Sequence, residues 1–414
     1  MWKPPAPPAA ARRGSETPLS DMDGGAAGSA RSLAWTPGEI FQLVRESPEI
    51  SRSELARRTG LSPTTVASRV ESLLERGYLG ERGTARAGRK PRALSLNPDW
   101  GIVIAAHIGS RHTRVCVVDM TGQILTVEEH AVAAAPDIED ELAWLHEQME
   151  KALAALPGDR PPLRGIGLSV PAPVDASTGQ IVGPTLLHSW NSASMTPRFE
   201  EWYGVPVIID NDGTLMARGE HRTVLSGVDS LIYLKLGAAI GCGIVVNRNV
   251  HRGHSGGAGE IGHMPIRSEF SRRCICGRDD CLEAAFGGAA IIEHLRERGH
   301  DISSTEEVVA LASRADPDAL EITRAAGTAI GSAVAVLADF LNPEAIVLGG
   351  LLATIEPLTK NLRSAVYARS LPLAVRDVTI RESETAENAS TLGAAWTIID
   401  HVFSPAQVNA ALGV

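Results

Sequence analysis

The segments Gly256–Ile266, GGAGEIGHMPI, and Cys274–Ala285, CICGRDDCLEAA, decide how the rest of this sequence is interpreted. The chain has 414 residues and five cysteines, and three of those cysteines lie in the second segment. Their C-x-C-x4-C spacing and a histidine in the first segment provide three thiolates and one imidazole, which suit a closed tetrahedral zinc site. The alternative is three reduced thiols at the surface. The predicted Zn²⁺ ligands, in a loop over residues 263–281, are His263, Cys274, Cys276 and Cys281.

The composition indicates a globular protein with a distinct N-terminal end. Hydrophobic residues make up 44% of the chain, and no apolar run in the sequence approaches a membrane span. The first residues, MWKPPAPPAAARRGSETPLS, lack the apolar region of a signal peptide and are rich in Pro, Ala and Ser. We therefore expect a disordered tail over residues 1–30, a cytoplasmic location and no membrane partner. In the cytoplasm, clustered cysteines more often bind metal than form disulfides.

Charge is unevenly distributed along the chain. The net charge is −10, yet residues 1–99 contain 15 Lys and Arg against 11 Asp and Glu. Residues 100–414 contain 24 Lys and Arg against 38 Asp and Glu. Such a split suggests that a small module binds a polyanion while the larger part of the chain does not.

The basic part contains two short helices joined by a glycine turn. In residues 50–79, ISRSELARRTGLSPTTVASRVESLLERGYL, Ser51 and Glu54 form a capping box that predicts the start of the first helix. Gly60 can adopt the left-handed conformation that ends this helix, and Ser62 can cap the second one. The second helix is apolar on one side only. This pattern predicts a helix-turn-helix.

The outer face of the second helix carries short hydroxyl groups and one arginine, which suit base edges and phosphates in a DNA major groove. Residues 80–98, GERGTARAGRKPRALSLNP, look like a wing and a linker whose basic residues can enter a narrow minor groove. The alternatives are a solvated linker and a helical module for protein contacts. We predict a winged helix-turn-helix domain over residues 31–83 and a basic linker over residues 84–99. The predicted DNA-binding residues are Thr64, Thr65, Ser68, Arg69, Arg89, Lys90 and Arg92.

Strands and helices alternate in residues 100–414. Three successive strand patterns, a helix and a buried strand occur first, and a similar series of strands and helices follows them. The repetition predicts a duplicated α/β domain with two lobes. Ligands tend to bind in the cleft of such a domain.

Several motifs of this region occur in an order and spacing that resemble the ROK family (repressor, open reading frame, kinase). They are VPAPVD at residues 170–175, DNDG at 210–213 with ARGE at 217–220, GGAGEIGHMPI, CICGRDDCLEAA and LNPEAIVLGG at 341–350. The resemblance covers about residues 35–400, and the helix-turn-helix is similar to that of the repressor branch. It implies a duplicated actin-like, ribonuclease-H-like fold, a sugar site in the cleft and dimeric assembly. We expect a homodimer or a homotetramer.

The resemblance also implies a sugar pocket in which the zinc-bound histidine contacts the sugar. Carboxylates and an amide suit such a pocket, because each sugar hydroxyl both donates and accepts hydrogen bonds. Thr185 stands where family members often have an asparagine that contacts the sugar. For the two glutamates, a structural role around the metal loop is the alternative. The residues that match the sugar-binding positions are Asn211, Asp212, Glu260, His263 and Glu283.

Both phosphate motifs of the family's kinases are altered. The positions that depart from D-x-G-G-T and G-T-G-x-G are His107, Ser110 and Arg111 in HIGSRHTRV and Ala238 and Ala239 in GAAIG. Loss of the carboxylate removes an anchor for Mg²⁺, and Cβ atoms crowd the path of a phosphate. Asp212, which matches the family's catalytic base, is therefore predicted to be a vestigial base that accepts a hydrogen bond from the sugar. Five glycines are expected to determine the fold rather than contact ATP, namely Gly237, Gly241, Gly243, Gly349 and Gly350.

The sequence thus predicts a sugar-responsive transcriptional regulator, most simply a repressor, without enzymatic activity. Its expected partners are operator DNA and a small sugar or sugar phosphate. One alternative is a ROK sugar kinase with an appended DNA-binding module. Another is a regulator that responds to a protein partner, and retention of the five pocket residues argues against it.

Overall fold

The computed structural model describes residues 35–47, 49–82, 93–109, 112–131, 138–183 and 195–414. The range predicted to be a disordered tail lies outside these residues. The first elements are three helices, α1 (Pro37–Glu46), α2 (Arg52–Thr59) and α3 (Pro63–Glu75).

Local chemistry explains the ends of these helices. The Ser51 hydroxyl accepts the backbone N–H of Glu54 at 3.2 Å, which begins α2, and Gly60 ends that helix with a φ of 69°. The Glu54 carboxylate binds Arg57 and Arg58. Its expected role in the capping box, as acceptor of the Ser51 backbone N–H, is therefore replaced by these ion pairs. The helix-turn-helix predicted from the sequence is present.

Three short strands complete the N-terminal module as a small antiparallel sheet in the order β1-β3-β2. They are β1 (Ile50–Ser51), β2 (Leu79–Arg82) and β3 (Ala93–Leu96). Strand β3 belongs to the range 84–99 that we interpret as a linker, so part of that range pairs with the wing. Residues 83–92, between β2 and β3, lie outside the described residues.

The first lobe contains a five-stranded sheet in the order β6-β5-β4-β7-β8. Its strands are β4 (Ile102–Ile108), β5 (His112–Asp119), β6 (Ile124–Ala131), β7 (Leu163–Val170) and β8 (Val207–Asn211). Helices α4 (Ile138–Ala154), α5 (Thr196–Tyr203) and α6 (Asp212–Thr223) accompany it. The sheet begins as an antiparallel meander, and β7 and β8 then add parallel to β4.

The second lobe repeats this pattern, with a sheet in the order β11-β10-β9-β12-β13. Its strands are β9 (Leu231–Leu236), β10 (Ile240–Val246), β11 (Asn249–Val250), β12 (Ala345–Gly349) and β13 (Thr379–Glu382). Its helices are α7 (Leu282–Phe286), α8 (Gly288–Glu297), α9 (Thr305–Ser313), α10 (Pro317–Leu341), α11 (Glu356–Arg369) and α12 (Pro372–Val375). Both sheets follow the order 3-2-1-4-5 within their lobes, which confirms the predicted duplication.

Two further helices, α13 (Ala389–Val402) and α14 (Pro405–Leu412), end the chain. Helix α13 packs on α6 at very short range. A Cβ atom at Gly393 would lie 1.8 Å from the Leu215 carbonyl oxygen, and one at Gly219 would lie 2.0 Å from that of Ala389. Glycine is therefore required at both positions, and the two helices are held together closely.

The N-terminal module and the C-terminal helices belong to one unit, Thr36–Val414. The Asn409 side chain accepts the backbone N–H of Gly38 at 2.8 Å, which joins α14 to α1. The aromatic rings of Phe41, Tyr78 and Trp100 also pack against Phe403. An apolar aromatic contact of this kind fixes the module on the larger domain.

Helix α10 corrects one expectation from the sequence. By length and composition it could cross a membrane, whereas we expected no apolar run of that kind. Long core helices of soluble proteins meet the same criteria, and 44% of its most apolar stretch is buried. Its inner face packs on α11, where a Cβ atom at Gly327 would lie 2.2 Å from the Leu358 carbonyl oxygen.

Candidate functional site

The junction of β8 and α6 places two polar residues at the cleft. Asn211 caps α6, since its side-chain oxygen accepts the backbone N–H of Thr214 at 3.2 Å, and its amide donates to the Ala172 carbonyl at 3.1 Å. Asp212 is the first residue of α6 and is only 3% exposed. The carboxylate thus lies at a helix N-terminus, where a negative charge is stabilised.

A cavity of about 70 Å³ opens beside this junction. Side chains from β8, β9, the starts of α6 and α7 and the loop that precedes α7 form its polar wall. The structure brings together all the residues that the sequence comparison placed in a sugar pocket. The polar side chains that line it are Asn211, Asp212, Lys235, Glu260, His263 and Glu283.

The two glutamates of the cavity differ in their surroundings. Glu283 lies at the start of α7 and accepts the backbone N–H of Ile240 at 3.0 Å, which ties the loop to β10. Glu260 is the more exposed of the two residues, although partial burial of its carboxyl raises its pKa above the usual value. The Glu260 oxygens line the cavity, where they can accept hydrogen bonds from a hydroxyl-rich ligand.

The predicted metal ligands meet beside the cavity. All four ligand atoms of His263, Cys274, Cys276 and Cys281 lie within 4.8 Å of one another. Two of the separations are 3.4 Å from Cys274 Sγ to His263 Nδ1 and 3.5 Å from Cys276 Sγ to Cys281 Sγ. Tetrahedral zinc with bonds of about 2.0–2.3 Å separates its ligands by roughly 3.5–3.8 Å. The set of four is therefore compatible with zinc.

The pKa values of the three cysteine thiols differ, and one thiol is already prepared to bind a metal as a thiolate. A hydrogen bond from the Arg278 guanidinium lowers the pKa of Cys276 to about 6, so this thiol is ionised at neutral pH. Burial raises the pKa of Cys274 and Cys281, and both would release a proton to a bound metal.

A second cavity, of about 750 Å³, lies between the lobes where the kinase motifs would bind phosphate. His107 lines it in place of the family's aspartate. Its Nδ1 contacts the hydroxyl groups of Ser390 at 3.1 Å and Ser169 at 3.2 Å, and burial lowers its pKa to about 4. The ring is neutral at neutral pH and brings no negative charge for Mg²⁺. Ser110, Arg111 and Thr185 lie outside the described residues.

The five glycines fall into two groups. A Cβ atom would lie 2.2 Å from the Gly213 oxygen at Gly243, 1.9 Å from the Tyr233 hydroxyl at Gly349 and 2.4 Å from the Leu236 oxygen at Gly350. Packing therefore requires these three. At the other two, Gly237 and Gly241, the nearest atoms lie 3.9 Å and 3.6 Å away, so the fold alone does not require glycine there.

Lys235 is a polar residue of the site that the sequence interpretation missed. It pairs with Asp212 and lines both cavities. The sequence does contain a signal for it, namely a single lysine in the otherwise apolar strand LIYLKL. A lysine at such a position is seldom buried unless it pairs with an acidic residue, so it indicates a nearby carboxylate.

On α3, the predicted DNA-binding face is accessible at Thr64 and Ser68, while Thr65 and Arg69 are half-buried. The Thr65 hydroxyl lies 2.8 Å from that of Ser62, so it also belongs to the helix cap. Arg89, Lys90 and Arg92 lie outside the described residues.

Comparison with known proteins agrees with this arrangement. Residues 103–401 match the ROK family, and residues 36–79 match winged helix-turn-helix DNA-binding domains. The chain belongs to the ROK family.

Three individual relatives illustrate the range of the family. The chain is 27% identical over 368 residues to the xylose repressor of Bacillus subtilis (strain 168), covering 87% of this chain and 94% of the repressor. It is 29% identical over 268 residues to a glucokinase of Halalkalibacterium halodurans, covering 61% of this chain and 81% of the glucokinase. The crystal structure of a ROK family transcriptional regulator, a homolog of the E. coli MLC protein, superposes with a TM-score of 0.78 at 24% identity, covering 91% of this chain and 98% of the other.

Proposed function

We propose that this protein is a sugar-responsive transcriptional regulator, most simply a repressor, that binds operator DNA through residues 35–92. The observation that carries the proposal is the convergence of five sugar-compatible groups in one cavity of a chain that also has a winged helix-turn-helix. Relatives that this chain matches over most of their length are named xylose repressors. We place the protein in the cytoplasm, without a membrane partner.

The sugar would bind in the smaller cavity. Asn211, Asp212, Glu260 and Glu283 supply acceptors for its hydroxyl groups, and a nitrogen of His263 supplies a donor. A cavity built to bond each hydroxyl rejects an analogue that lacks one, because its own buried groups then stay unpaired.

Zn²⁺ would be held by His263, Cys274, Cys276 and Cys281, where it would act as a structural clip without redox chemistry. The imidazole faces the thiols through Nδ1 and also lines the sugar cavity. Metal binding would therefore fix the orientation of the ring that contacts the sugar.

The kinase alternative is not favoured. Phosphoryl transfer depends on a metal-bound phosphate and on positioning of the transferred group. Neutral His107 supplies no anchor for Mg²⁺, although Asp212 is present as a possible base. We expect no sugar-dependent ATP hydrolysis and no sugar phosphate product. Turnover that disappears in Asp212→Asn would restore the kinase alternative.

The sugar signal would reach the DNA-binding module through two packed helices. Helix α6 begins at the sugar cavity, and its Arg218 binds Asp400 of α13 at 2.5 Å. The other oxygen of Asp400 binds Arg45 of α1 at 2.6 Å. A shift of α6 on sugar binding would thus change the contact that holds α1.

Two copies would associate through an apolar face formed by the ends of α10 and α11 and by α12. Its exposed side chains are Val336 (58%), Phe340 (85%), Tyr367 (49%), Leu371 (67%) and Leu373 (73%). Taking about 150–200 Å² for each, they expose roughly 600 Å², close to the ~800 Å² that each partner buries in a stable interface. None of these five side chains is charged, which favours a second copy over a partner attracted by charge.

The proposal is tested by operator binding with and without sugar. A genomic selection with the full-length protein supplies the operator, and a gel shift then measures the affinity. Arg69→Ala should weaken binding about tenfold, in the range of one phosphate or base contact. Removal of residues 1–98 should abolish it. A truncated large domain that still shifts the operator would contradict the assignment of the DNA-binding module.

A further inference from the structure

Lys235 is a charged residue in the apolar strand β9, and its position is set by one partner. Its Nζ forms an ion pair with Asp212 Oδ2, and the two side chains are only 16% and 4% exposed. A carboxylate so deeply buried is costly without a partner of opposite charge. Lys235 provides that charge for Asp212.

The pair lies at the boundary between the two cavities. Lys235 and Asp212 line both of them, together with Pro171 and Ala239. The lysine stem lies along the floor of the sugar cavity, since its Cδ is 3.6 Å from the position of a Cβ atom at Gly241. The ammonium group therefore binds the Asp212 carboxylate at the wall of the sugar cavity.

The negative charges around the sugar cavity are balanced by one positively charged side chain. Three carboxylates line it, those of Asp212, Glu260 and Glu283, and they repel one another. Among the described residues on its wall, Lys235 is the one lysine or arginine. Its removal would leave the most deeply buried carboxylate without a counter-charge.

We propose that Lys235 is a positioning residue of the sugar site, which fixes the Asp212 carboxylate so that it accepts a hydrogen bond from one sugar hydroxyl. This inference rests on the proposed function, and it assigns a role to a residue that differs from the five sugar-contacting groups. Lys235 acts through Asp212.

The test compares three variants of the full-length protein. Lys235→Met keeps the length of the side chain without its charge, and Lys235→Arg keeps the charge. Lys360→Met is the matched control, because Lys360 pairs with Glu356 on the surface of α11 with both side chains about 70% exposed. Isothermal titration with D-xylose, D-glucose and the monodeoxy forms of glucose measures affinity, and circular dichroism checks the fold.

Wild type should bind one deoxy sugar at least tenfold more weakly than its parent, because Asp212 then lacks its hydroxyl partner. Lys235→Met should bind the parent sugar at least tenfold more weakly and lose the discrimination at that hydroxyl. Lys235→Arg should keep most of the affinity for the parent sugar and most of the discrimination at that hydroxyl. Lys360→Met should match wild type in both measurements. If Lys235→Met does not fold, Lys235→Gln, which keeps a donor but no charge, takes its place in the same titration.

One result would overturn the inference alone, namely wild-type affinity and discrimination in the uncharged variant, which would show that the ion pair has a structural role only. ATP-dependent sugar phosphorylation by wild type that Lys235→Met abolishes would make Lys235 a phosphate-binding residue, and it would also restore the kinase alternative to the proposed function. Absence of any sugar binding by wild type would instead overturn the proposed function, and this inference with it.

Discussion

At the scale of single residues, His263 connects the metal cluster to the sugar cavity. Its Nδ1 lies 3.4 Å from Cys274 Sγ, and the same ring forms part of the cavity wall. Two ring nitrogens can serve two partners at once, because a metal on one leaves the other free to donate. Metal content and sugar affinity should therefore be coupled.

Cys276→Ser tests this coupling. Cys276 is half-buried, so the fold should survive its substitution, while zinc content should fall well below one per chain and sugar affinity should fall about tenfold or more. Glu260→Gln is the matched control, because it should keep zinc and lose sugar affinity. Metal analysis by atomic emission and sugar titration on the same samples measure both. A zinc-free Cys276→Ser protein with unchanged sugar affinity would show that the cluster is only a structural clip.

His107 gives a prediction about acid stability. Its pKa is lowered to about 4 by burial, so between pH 6.5 and 4 the unfolded state binds a proton that the folded state does not. Stability should fall as pH falls through that window, by at most about 3 kcal/mol. His107→Gln should flatten this part of the curve of unfolding free energy against pH, measured in urea. A curve as steep as that of wild type would mean that other groups control it.

The sequence predicted which residues form the site more fully than it predicted the contacts that those residues make in the folded protein. The spacing of the cysteines and His263 is local, so the ligand set could be read from it, and the structure does bring the four side chains together. The pairing of Lys235 with Asp212 joins strand β9 of the second lobe to the start of helix α6 and has no local pattern. The open space at Gly237 likewise depends on tertiary packing, and the sequence interpretation attributed that glycine to the fold.

At the scale of elements, capping and periodicity predicted the helix-turn-helix and the three strands that begin the larger domain, because these signals are local. The order of the strands in each sheet was implied only through the resemblance to the ROK family. The contact of α1 with α14 could not be predicted, since it depends on a single acceptor, Asn409, and on aromatic rings far apart in the sequence.

The junction of α1, α6 and α13 gives a prediction at this scale. Burial alone would raise the pKa of Asp400, but Arg218, Arg45 and Arg222 hold it below the usual value, so the carboxylate is a charged link between the helices. Asp400→Asn should weaken that link and leave the sugar cavity intact. We expect normal sugar affinity and an operator affinity that responds to sugar at least fivefold less than in wild type.

Arg222→Ala is the matched control for Asp400→Asn, because Arg222 contacts the same carboxylate at 3.3 Å but does not belong to α1. It should keep most of the response. Equal responses in Asp400→Asn and wild type would exclude the junction as the path of the signal.

At the scale of the whole molecule, the long helix α10 has one face buried in the second lobe and one face exposed at the surface. Its inner face packs in the second lobe, and its outer face exposes two large apolar side chains near the C-terminal end, Val336 and Phe340. This explains why its composition is that of a membrane span. An anionic membrane surface is a poor partner for a chain with a net charge of −10, whereas a second copy would bury the face around a two-fold axis.

Phe340→Glu tests that arrangement. Phe340 is 85% exposed, so the substitution should leave the fold of the monomer unchanged, but two copies would place buried like charges near the axis. Sedimentation velocity should show a shift from dimer or tetramer to monomer. Operator affinity should fall at least tenfold, because a winged helix-turn-helix protein gains affinity from two half-sites at fixed spacing. Glu321→Gln, on the exposed charged part of the same helix, should change neither. If Phe340→Glu stayed dimeric with full operator affinity, the two copies would have to meet through another surface.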